Sequence, residues 1–359
     1  MTLKNIPHFR LISQQIIKPE CKSPKEIVSH MGAMQAQDFN MAKWAIGLRL
    51  NKAIEKDIEA AINSGEILRT HVLRPTWHFV SSDDINWLLD LTAPKLKASL
   101  KGRHKQLELT ESVLKKSNKI IQKVLDEKKF ATRKELVTQL NEAKIPTDEN
   151  RASHIFLNAE LNKIICSGKM EGKENTYALL SRRVNEPKSF NKQNALAMLA
   201  TKYFKSHSPA TLRDFVWWSG LNITDAKNGL EMIKKDLISE KINEEEYWFY
   251  NSFSIPKKIK DSVFLLPAFD EFLISYKDRS ASIINEHASK AFSKNGIFWP
   301  TVVVNGKVAG TWKREIKKEQ VLITISLFDS KNKLNKNLLQ KDAEKFGHFL
   351  NKKTEIVVD

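Results

Sequence analysis

The sequence has little cysteine and no long apolar segment. Its 359 residues include two cysteines, Cys21 and Cys166, too few for a disulfide framework, a thiolate metal site or a four-thiolate iron–sulfur cluster. No window approaches the roughly 18 uninterrupted apolar residues of a membrane-spanning helix. The first residues, MTLKNIPHFRLISQQ, lack the apolar stretch and cleavage site of a secretory signal. These absences predict a cytoplasmic protein with reduced thiols and no membrane partner.

Nucleotide-binding and metal-binding signatures are missing as well. The sequence has neither a P-loop nor a Gly-rich dinucleotide fingerprint. Its histidines are not spaced as a set of metal ligands. We therefore expect no metal, nucleotide or organic cofactor.

The charge is the informative part of the composition. Fifty-nine Lys and Arg residues oppose 42 Asp and Glu residues, which gives a formal net charge of +17. A basic excess of this size indicates a polyanion partner, because each phosphate that a cation neutralises releases counterions. Lysines on solvated helix faces, such as Lys115, Lys116 and Lys119, would produce the same excess without binding nucleic acid.

Three segments begin a helix in the same way. Each places a hydroxyl residue at the N-cap and an acid three residues later, the pattern of a capping box. The pairs are Ser23 with Glu26, Thr132 with Glu135, and Thr211 with Asp214. The last two segments continue with a second helix and two short strands, which is the order of a winged helix. Winged helices also bind proteins, and the turn at residues 243–246 is acidic, so the repeat predicts the fold more strongly than the function.

From about residue 256 the pattern becomes β-rich. Asn305 and Gly306, between two apolar runs, predict a type I′ hairpin turn. The whole pattern predicts an α+β protein of tandem winged-helix units followed by a C-terminal β-rich domain. We divide it into residues 1–120, winged-helix-like with a helical extension; 121–185 and 186–255, the second and third winged helices; and 256–359, a β-rich α+β domain.

Five blocks of sequence carry a family resemblance. They are MGAMQAQDFNMAKWAIGLRL, ILRTHVLRPTWHFVSSDDINWLL, SPATLRDFVWWSGL, LLPAFDEFLISYKDRS and NGIFWPTVVVNGKVAGTWKRE. In order and spacing they resemble a winged-helix DNA-binding family that includes the AlkZ-type DNA glycosylases. The resemblance implies hydrolysis of the N-glycosidic bond of bulky N7-alkylated guanines, with unhooking of interstrand crosslinks in some members.

The resemblance also implies a catalytic Gln-any-Gln motif, which falls on Gln35 and Gln37. A related branch has Asp at the second position, so this chain resembles the Gln branch, with Asp38 as a neighbouring acid of unassigned role. An N7-alkylated purine carries a positive charge and leaves readily, so two carboxamides need only orient a water at the anomeric carbon. Residues two apart diverge on a regular helix, so both serve one site only where the helix ends or bends near Ala36. The alternative is a pair of solvent-facing glutamines at a helix end.

Residues 70–80 supply a second group of candidates. If they form one strand, alternate residues from Thr70 to His78 share a mostly polar face. We predict that Arg69 and Arg74 contact DNA and that Thr76 and His78 line the site. For His78 the alternative is a buried structural histidine.

Other candidates lie in the last third of the chain. Lys307, Lys313 and Arg314, near the Asn305 turn, are predicted to contact DNA. Trp217 and Trp218 are interpreted as core residues because neighbouring helix positions cannot face one ligand. A group of four residues either supplies catalytic carboxylates or forms a structural ion pair: Asp270, Glu271, Asp278 and Arg279.

The sequence therefore predicts a monomeric, cytoplasmic and nucleoid-associated DNA glycosylase. Its partner is double-stranded DNA with alkylated or crosslinked bases, and strand cleavage is not part of the reaction. One alternative is a transcriptional regulator that binds undamaged duplex and has no need of Gln35 or Gln37. Another is a scaffold protein that keeps the fold without DNA affinity.

Overall fold

The computed structural model describes residues 4–172, 174–184, 188–253, 260–329 and 334–359. Its α-helices are α1 (Ile6–Ser13), α2 (Pro24–Met31), α3 (Phe39–Leu48), α4 (Glu55–Ser64), α5 (Ile85–Gln106), α6 (Glu111–Lys128), α7 (Arg133–Glu142), α8 (Arg151–Leu161), α9 (Lys192–Ser206), α10 (Leu212–Ser219), α11 (Ile223–Ile233), α12 (Glu271–Ile274), α13 (Asn285–Ala291) and α14 (Lys336–Leu350). Its strands are β1 (Met34–Gln35), β2 (Ile67–His71), β3 (Trp77–Ser81), β4 (Ala131–Thr132), β5 (Ile165–Ser167), β6 (Thr176–Leu179), β7 (Leu237–Ile242), β8 (Glu245–Tyr250), β9 (Val263–Leu266), β10 (Thr301–Val304), β11 (Lys307–Ile316), β12 (Gln320–Leu327) and β13 (Lys353–Val358). None of the helices described is long and apolar enough to cross a membrane.

The predicted capping residues start their helices. The Thr132 hydroxyl accepts the N–H of Glu135, whose carboxylate accepts the N–H of Thr132 at 2.8 Å, so the box that opens α7 is complete. Thr211 and Asp214 form the same reciprocal pair at α10. At α2 the Ser23 hydroxyl caps the helix, while the Glu26 carboxylate accepts the N–H of Lys22.

The chain divides into two compact units. Unit 1 comprises residues 1–58 and 196–359, and unit 2 comprises residues 59–195. The four-part division made from the sequence stays a prediction. Its boundary at residues 255/256 lies outside the described residues.

The predicted order of elements recurs along the chain. In unit 2 the order is α6, β4, α7, α8, β5, β6, with the three strands arranged β4-β6-β5. The helices bury apolar residues that include Ile121, Leu136 and Phe156. The later copy runs α9, α10, α11, β7, β8, and Ala210 forms an isolated bridge to Trp248 of β8. The elements from α2 to β3 follow one another in the same sequence.

A five-stranded sheet forms the last part of unit 1, in the order β13-β12-β11-β10-β9. The pairs are antiparallel except β12 with β13, which run parallel and are joined through α14. The predicted turn joins β10 to β11, with Asn305 at φ 50° and Gly306 at φ 80°. Trp44 of α3 donates its indole N–H to the carbonyl of Leu265 at 3.0 Å, which fixes α3 against β9.

Candidate active site and DNA-contacting residues

Gln35 and Gln37 lie in a non-helical segment between two helices of unit 1, residues 32–38, which we call the Gln segment. Helix α2 ends at Met31, followed by Gly32 at φ 79°. Helix α3 begins after Asp38, whose carboxylate accepts the N–H of Met41 at 3.0 Å. Neither glutamine is therefore held on a helix, and the geometric objection to their sharing one site does not apply.

The two glutamines differ in exposure. Gln35, the second residue of β1, has 6% of its surface exposed, and the following Ala36 is fully buried. Gln37 is exposed. The segment thus holds one amide in the protein interior and presents the other to solvent, where a substrate can reach it.

Glu271 fixes the main chain of Gln35. One carboxylate oxygen, Oε1, accepts the N–H of Gln35 at 2.6 Å, and the residue is 1% exposed. The Ser275 hydroxyl donates to the other oxygen, Oε2, and His207 Nε2 lies 3.7 Å from it. Burial by itself raises the pKa of Glu271, but His207, Ser275 and the Gln35 N–H outweigh it and lower the pKa to about 2. The group bonded to the main chain of Gln35 is therefore an ionised carboxylate.

Asp270 has a structural environment. Both of its oxygens accept hydrogen bonds at 2.9 Å from the fully buried guanidinium of Arg49, which also donates to Gln14 at 2.9 Å. Asp270 caps α12 through the N–H of Phe272 at 2.9 Å. Because both oxygens are occupied, this acid supports the fold.

Asp278 and Arg279, the other two members of that group, make contacts of different kinds. Asp278 accepts the N–H of Ser280 at 2.9 Å and so shapes a turn. The Arg279 guanidinium donates to the carbonyl of Leu273 at 2.8 Å and lies 5.1 to 5.4 Å from the ring centres of three aromatic side chains. Of the four residues, Glu271 is the one bonded to the Gln segment.

Arg314 lies close to the Gln segment. Burial lowers the pKa of its guanidinium, and the charges of Asp38 and Glu55 oppose this effect in part. Asp38 directly follows Gln37, so the structure brings a predicted DNA contact near the predicted catalytic motif. The neighbouring Lys313 is exposed.

Lys307 and the Asn305 turn have a different environment. A Cβ atom added to Gly306 would lie 2.8 Å from the Cβ of Pro7, so the turn packs against α1. The Lys307 ammonium donates to the carbonyl of Ala281, and burial lowers the pKa of Lys307. Lys307 is exposed at the start of β11, although its ammonium is bonded to the protein's own main chain, and the residues after Trp312 are exposed or partly exposed.

The single strand predicted for residues 70–80 is wrong. Strands β2 and β3 form an antiparallel hairpin in which Thr70 pairs with His78. Between them the N–H of Arg74 bonds to the Val72 carbonyl at 2.6 Å, and Leu73 has a φ of 61°. Two tight turns around Pro75 reverse the chain, so the predicted alternation of faces does not hold.

The predicted site residues of this hairpin have separate environments. His78 is fully buried, with Nδ1 2.9 Å from the carbonyl oxygen of Thr76. Arg74 and Thr76 are partly exposed in the connection between the strands. The Arg69 guanidinium lies 4.4 Å from the ring centre of Trp77.

A histidine–glutamate pair in unit 2 was missed by the sequence analysis. His71 Nδ1 lies 2.6 Å from Oε2 of the fully buried Glu160, which also accepts the main-chain N–H of His71 at 2.9 Å. The ring centres of His71 and Trp77 are 4.1 Å apart. These contacts join residues 89 positions apart, and no local sequence pattern indicates them.

Trp218 is fully buried, as expected, but Trp217 is 36% exposed and the prediction that it belongs to the core is wrong. Its indole N–H donates to the carbonyl of Ile274 at 2.8 Å. The described parts of the chain contain no group of three or more His, Cys, Asp or Glu residues that could hold a metal ion.

Comparison with known proteins supports the resemblance. A family model described as "DNA glycosylase AlkZ-like" matches residues 28–349. Among solved structures, the Streptomyces sahachiroi DNA glycosylase AlkZ matches with a TM-score of 0.81 and 18% sequence identity, covering 99% of this chain and 100% of that chain. No curated protein matches.

At this identity the structural match shows the fold alone, a mixed α+β architecture with a C-terminal β-sheet. The family match covers most of the chain and extends over the Gln segment, the β2–β3 hairpin and β11. It supports DNA as the substrate and base removal as the class of reaction. The resemblance inferred from the five blocks is confirmed: the chain belongs to the AlkZ-like DNA glycosylase family.

Proposed function

We propose that the protein is a monofunctional DNA glycosylase that hydrolyses the N-glycosidic bond of N7-alkylated guanines in duplex DNA, including bulky and crosslinked adducts. Gln35 and Gln37 position the water. Membership of the family supports the reaction class. The observation that carries the site is the non-helical Gln segment, in which Gln35 is buried with its main-chain N–H bonded to a buried carboxylate and Gln37 is exposed.

The chemistry requires little beyond this arrangement. The alkylated base carries a positive charge and leaves readily, while the sugar develops oxocarbenium character. Each carboxamide offers a carbonyl acceptor and two N–H donors, so the pair can hold a water and direct its lone pair to the anomeric carbon. A site without a strong base would act slowly on neutral, undamaged bases, and this difference provides selectivity.

DNA contacts are proposed for cations in each unit. In unit 2 these are Arg69 and Arg74, and Thr76 and His78 are proposed as substrate-binding or DNA-binding residues. In unit 1 they are Lys307, Lys313 and Arg314. The exposure of Lys313, and the charges of Asp38 and Glu55 acting on Arg314, support the far end of β11 more than Lys307, whose ammonium is bonded to the Ala281 carbonyl.

The fold is proposed to contain tandem winged helices. The order of helix, short extended segment, two helices and hairpin in α6 to β6 and in α9 to β8 supports this assignment. The finer division into residues 1–120, 121–185, 186–255 and 256–359 follows from it. We propose a cytoplasmic, monomeric protein that requires no cofactor.

Base release from a duplex containing one N7-methylguanine tests the proposal. The wild type is compared with Gln35→Ala/Gln37→Ala and with a matched control, Gln139→Ala/Gln340→Ala, which removes two exposed glutamines on α7 and α14. We expect release by the wild type and the control, and a loss of roughly 100-fold or more in the motif variant with DNA binding retained. Intact strands before alkali treatment would show that no lyase step follows.

The contrary outcome is equally clear. No release from this duplex or from a bulkier N7 adduct, together with tight sequence-selective binding to undamaged DNA, would overturn the proposal. Such a result would favour a transcriptional regulator.

A further inference from the structure

Neither Gln35 nor Gln37 carries a carboxylate, yet the carboxylate of Glu271 lies within hydrogen-bond distance of the main chain of Gln35. Glu271 reaches the motif through the main chain, and its hydrogen bond to the Gln35 N–H spans 236 residues of sequence. In this chain Asp38 is committed to capping α3, so Glu271 is the carboxylate whose contact points at the motif itself.

We propose that Glu271 is a positioning residue that acts through Gln35, an inference that rests on the proposed function. Its Oε1 fixes the peptide of Gln35 at 2.6 Å and thereby sets the direction in which the side-chain amide leaves the backbone. Its fixed negative charge polarises that peptide in a site where positive charge develops on the sugar as the base leaves. The effect belongs to the chemical step and leaves DNA affinity unchanged.

The surroundings of Glu271 are built to hold this carboxylate in one place. Ser275, four residues after Glu271, donates its hydroxyl hydrogen to Oε2. His207, which directly follows α9, places its Nε2 3.7 Å from the same oxygen. The His207 ring is itself held by stacking on Tyr203, with ring centres 4.8 Å apart and planes 12° from parallel. Both His207 and Ser275 are fully buried, so water does not compete for these contacts.

One nearby cation, Arg49, belongs to a separate ion pair of the same unit. Arg49 acts on His207 from a distance but forms its hydrogen bonds with Asp270, Gln14 and the Ala45 carbonyl. Its charge is thus matched by Asp270. Glu271 is the negatively charged group that accepts the main-chain N–H of Gln35.

The test is single-turnover base release on the N7-methylguanine duplex, measured together with the DNA dissociation constant. Glu271→Gln keeps the shape and the carbonyl acceptor and removes the charge, while Glu271→Ala removes both. We expect the single-turnover rate to fall roughly tenfold in the first and roughly 100-fold in the second, with the dissociation constant within about twofold of wild type. Partial retention by the isosteric variant distinguishes positioning from a general loss of structure.

Asp342→Asn is the matched control. Asp342 is also a buried carboxylate of unit 1 that accepts one main-chain N–H, from Leu265 at 2.7 Å, but it does not contact the motif. We expect its rate to remain that of the wild type. If Glu271→Gln does not fold, Ser275→Ala, which removes one donor to the carboxylate, replaces it with an expected loss of roughly threefold to fivefold.

Two failures can be separated. If the wild type releases no base, or if the Gln35→Ala/Gln37→Ala variant is fully active, the proposed function is wrong. If those two proteins behave as proposed, but folded Glu271→Gln, or Ser275→Ala in its place, reacts at the wild-type rate, the positioning role of Glu271 is wrong. A rate loss equal to that of Asp342→Asn would also overturn it, because any buried carboxylate would then have the same effect.

Discussion

Two buried carboxylates of unit 1 make the same kind of contact and have opposite properties. Glu271 at the start of α12 and Asp342 in α14 each accept one main-chain N–H, at 2.6 and 2.7 Å. Burial raises the pKa of both acids. For Glu271 the facing His207 and the two donors, Ser275 and the Gln35 N–H, reverse that effect and lower the pKa to about 2, whereas for Asp342 the Leu265 N–H and the charge of Lys345 do not, and the pKa rises to about 6.

The number of donors explains the difference. Each hydrogen bond to a carboxylate favours its charged form, and one such bond is insufficient where burial removes water from both oxygens. Two donors and a facing histidine keep Glu271 ionised. The region behind the Gln segment is therefore organised to stabilise negative charge, while the α14 region tolerates a carboxyl group that prefers its proton.

The largest expected effect comes from breaking the charge balance beside Glu271. Arg49→Met leaves the buried Asp270 without its bidentate partner, and we expect a loss of about 4 kcal/mol in the free energy of unfolding. Urea denaturation at neutral pH measures it. Arg213→Met, which breaks the exposed pair Arg213–Glu245, serves as the control and is expected to lose less than about 1 kcal/mol. Equal losses in the two variants would contradict a stabilising role for the buried Arg49–Asp270 pair.

Acid unfolding separates Glu271 from its neutral isostere. The folded-state pKa of about 2 lies below the reference value of 4.5, so the stabilisation by Glu271 is complete above about pH 4.5 and is lost as the pH falls towards 2. Between these values we expect wild type to lose on the order of 2 to 3 kcal/mol more than Glu271→Gln. Parallel stability curves for the two proteins across this window would be inconsistent with the assignment.

Asp342 should show the opposite sign. Its folded-state pKa of about 6 lies above the reference value of 3.8, so the folded protein binds the proton more tightly and stability falls as the pH rises between these values. Asp342→Asn removes this dependence, and we expect it to be more stable than wild type by on the order of 1 to 2 kcal/mol at about pH 8. Thermal denaturation at about pH 4 and about pH 8 provides the comparison. A variant less stable at the higher pH would show that the ionised form is favoured after all.

The smallest expected effect comes from Ser275→Ala, which tests the comparison of Glu271 with Asp342. Ser275→Ala removes one donor from Glu271 and makes its environment more like that of Asp342. We expect a loss of about 1 kcal/mol at neutral pH. The acid-unfolding midpoint should move to higher pH, because the pKa of Glu271 rises when a donor is lost. An unchanged midpoint would mean that His207 and the Gln35 N–H suffice.

Local features of the fold were predictable because short-range chemistry decides them. Thr132 and Thr211 open their helices through partners three residues away, and Asn305 and Gly306 form the turn that their positive φ angles allow. The hairpin at residues 67–81 was misassigned since Leu73 adopts a positive φ that a leucine rarely adopts. Its alternating polar pattern is typical of a single strand, and the reversal around Pro75 overrides it.

The candidate site was only partly predictable. Gln35 and Gln37 came from the family resemblance, and their assignment as catalytic residues is still a prediction. The sequence singled out Glu271 as an acid of interest but could not link it to Gln35, because the contact depends on how distant segments pack. The pair of His71 with Glu160 was missed for the same reason.

The discontinuity of unit 1 has a consequence for the nascent chain. Unit 2 is continuous, so all of it has been synthesised once residue 195 leaves the ribosome. Gln35 is translated early, but the carboxylate that holds its peptide follows 236 residues later, and the parallel partner of β12 comes later still, at residues 353–358. We therefore expect a ribosome-bound chain to protect residues 59–195 from protease while the Gln segment remains cleavable, so that base removal begins only after synthesis is nearly complete.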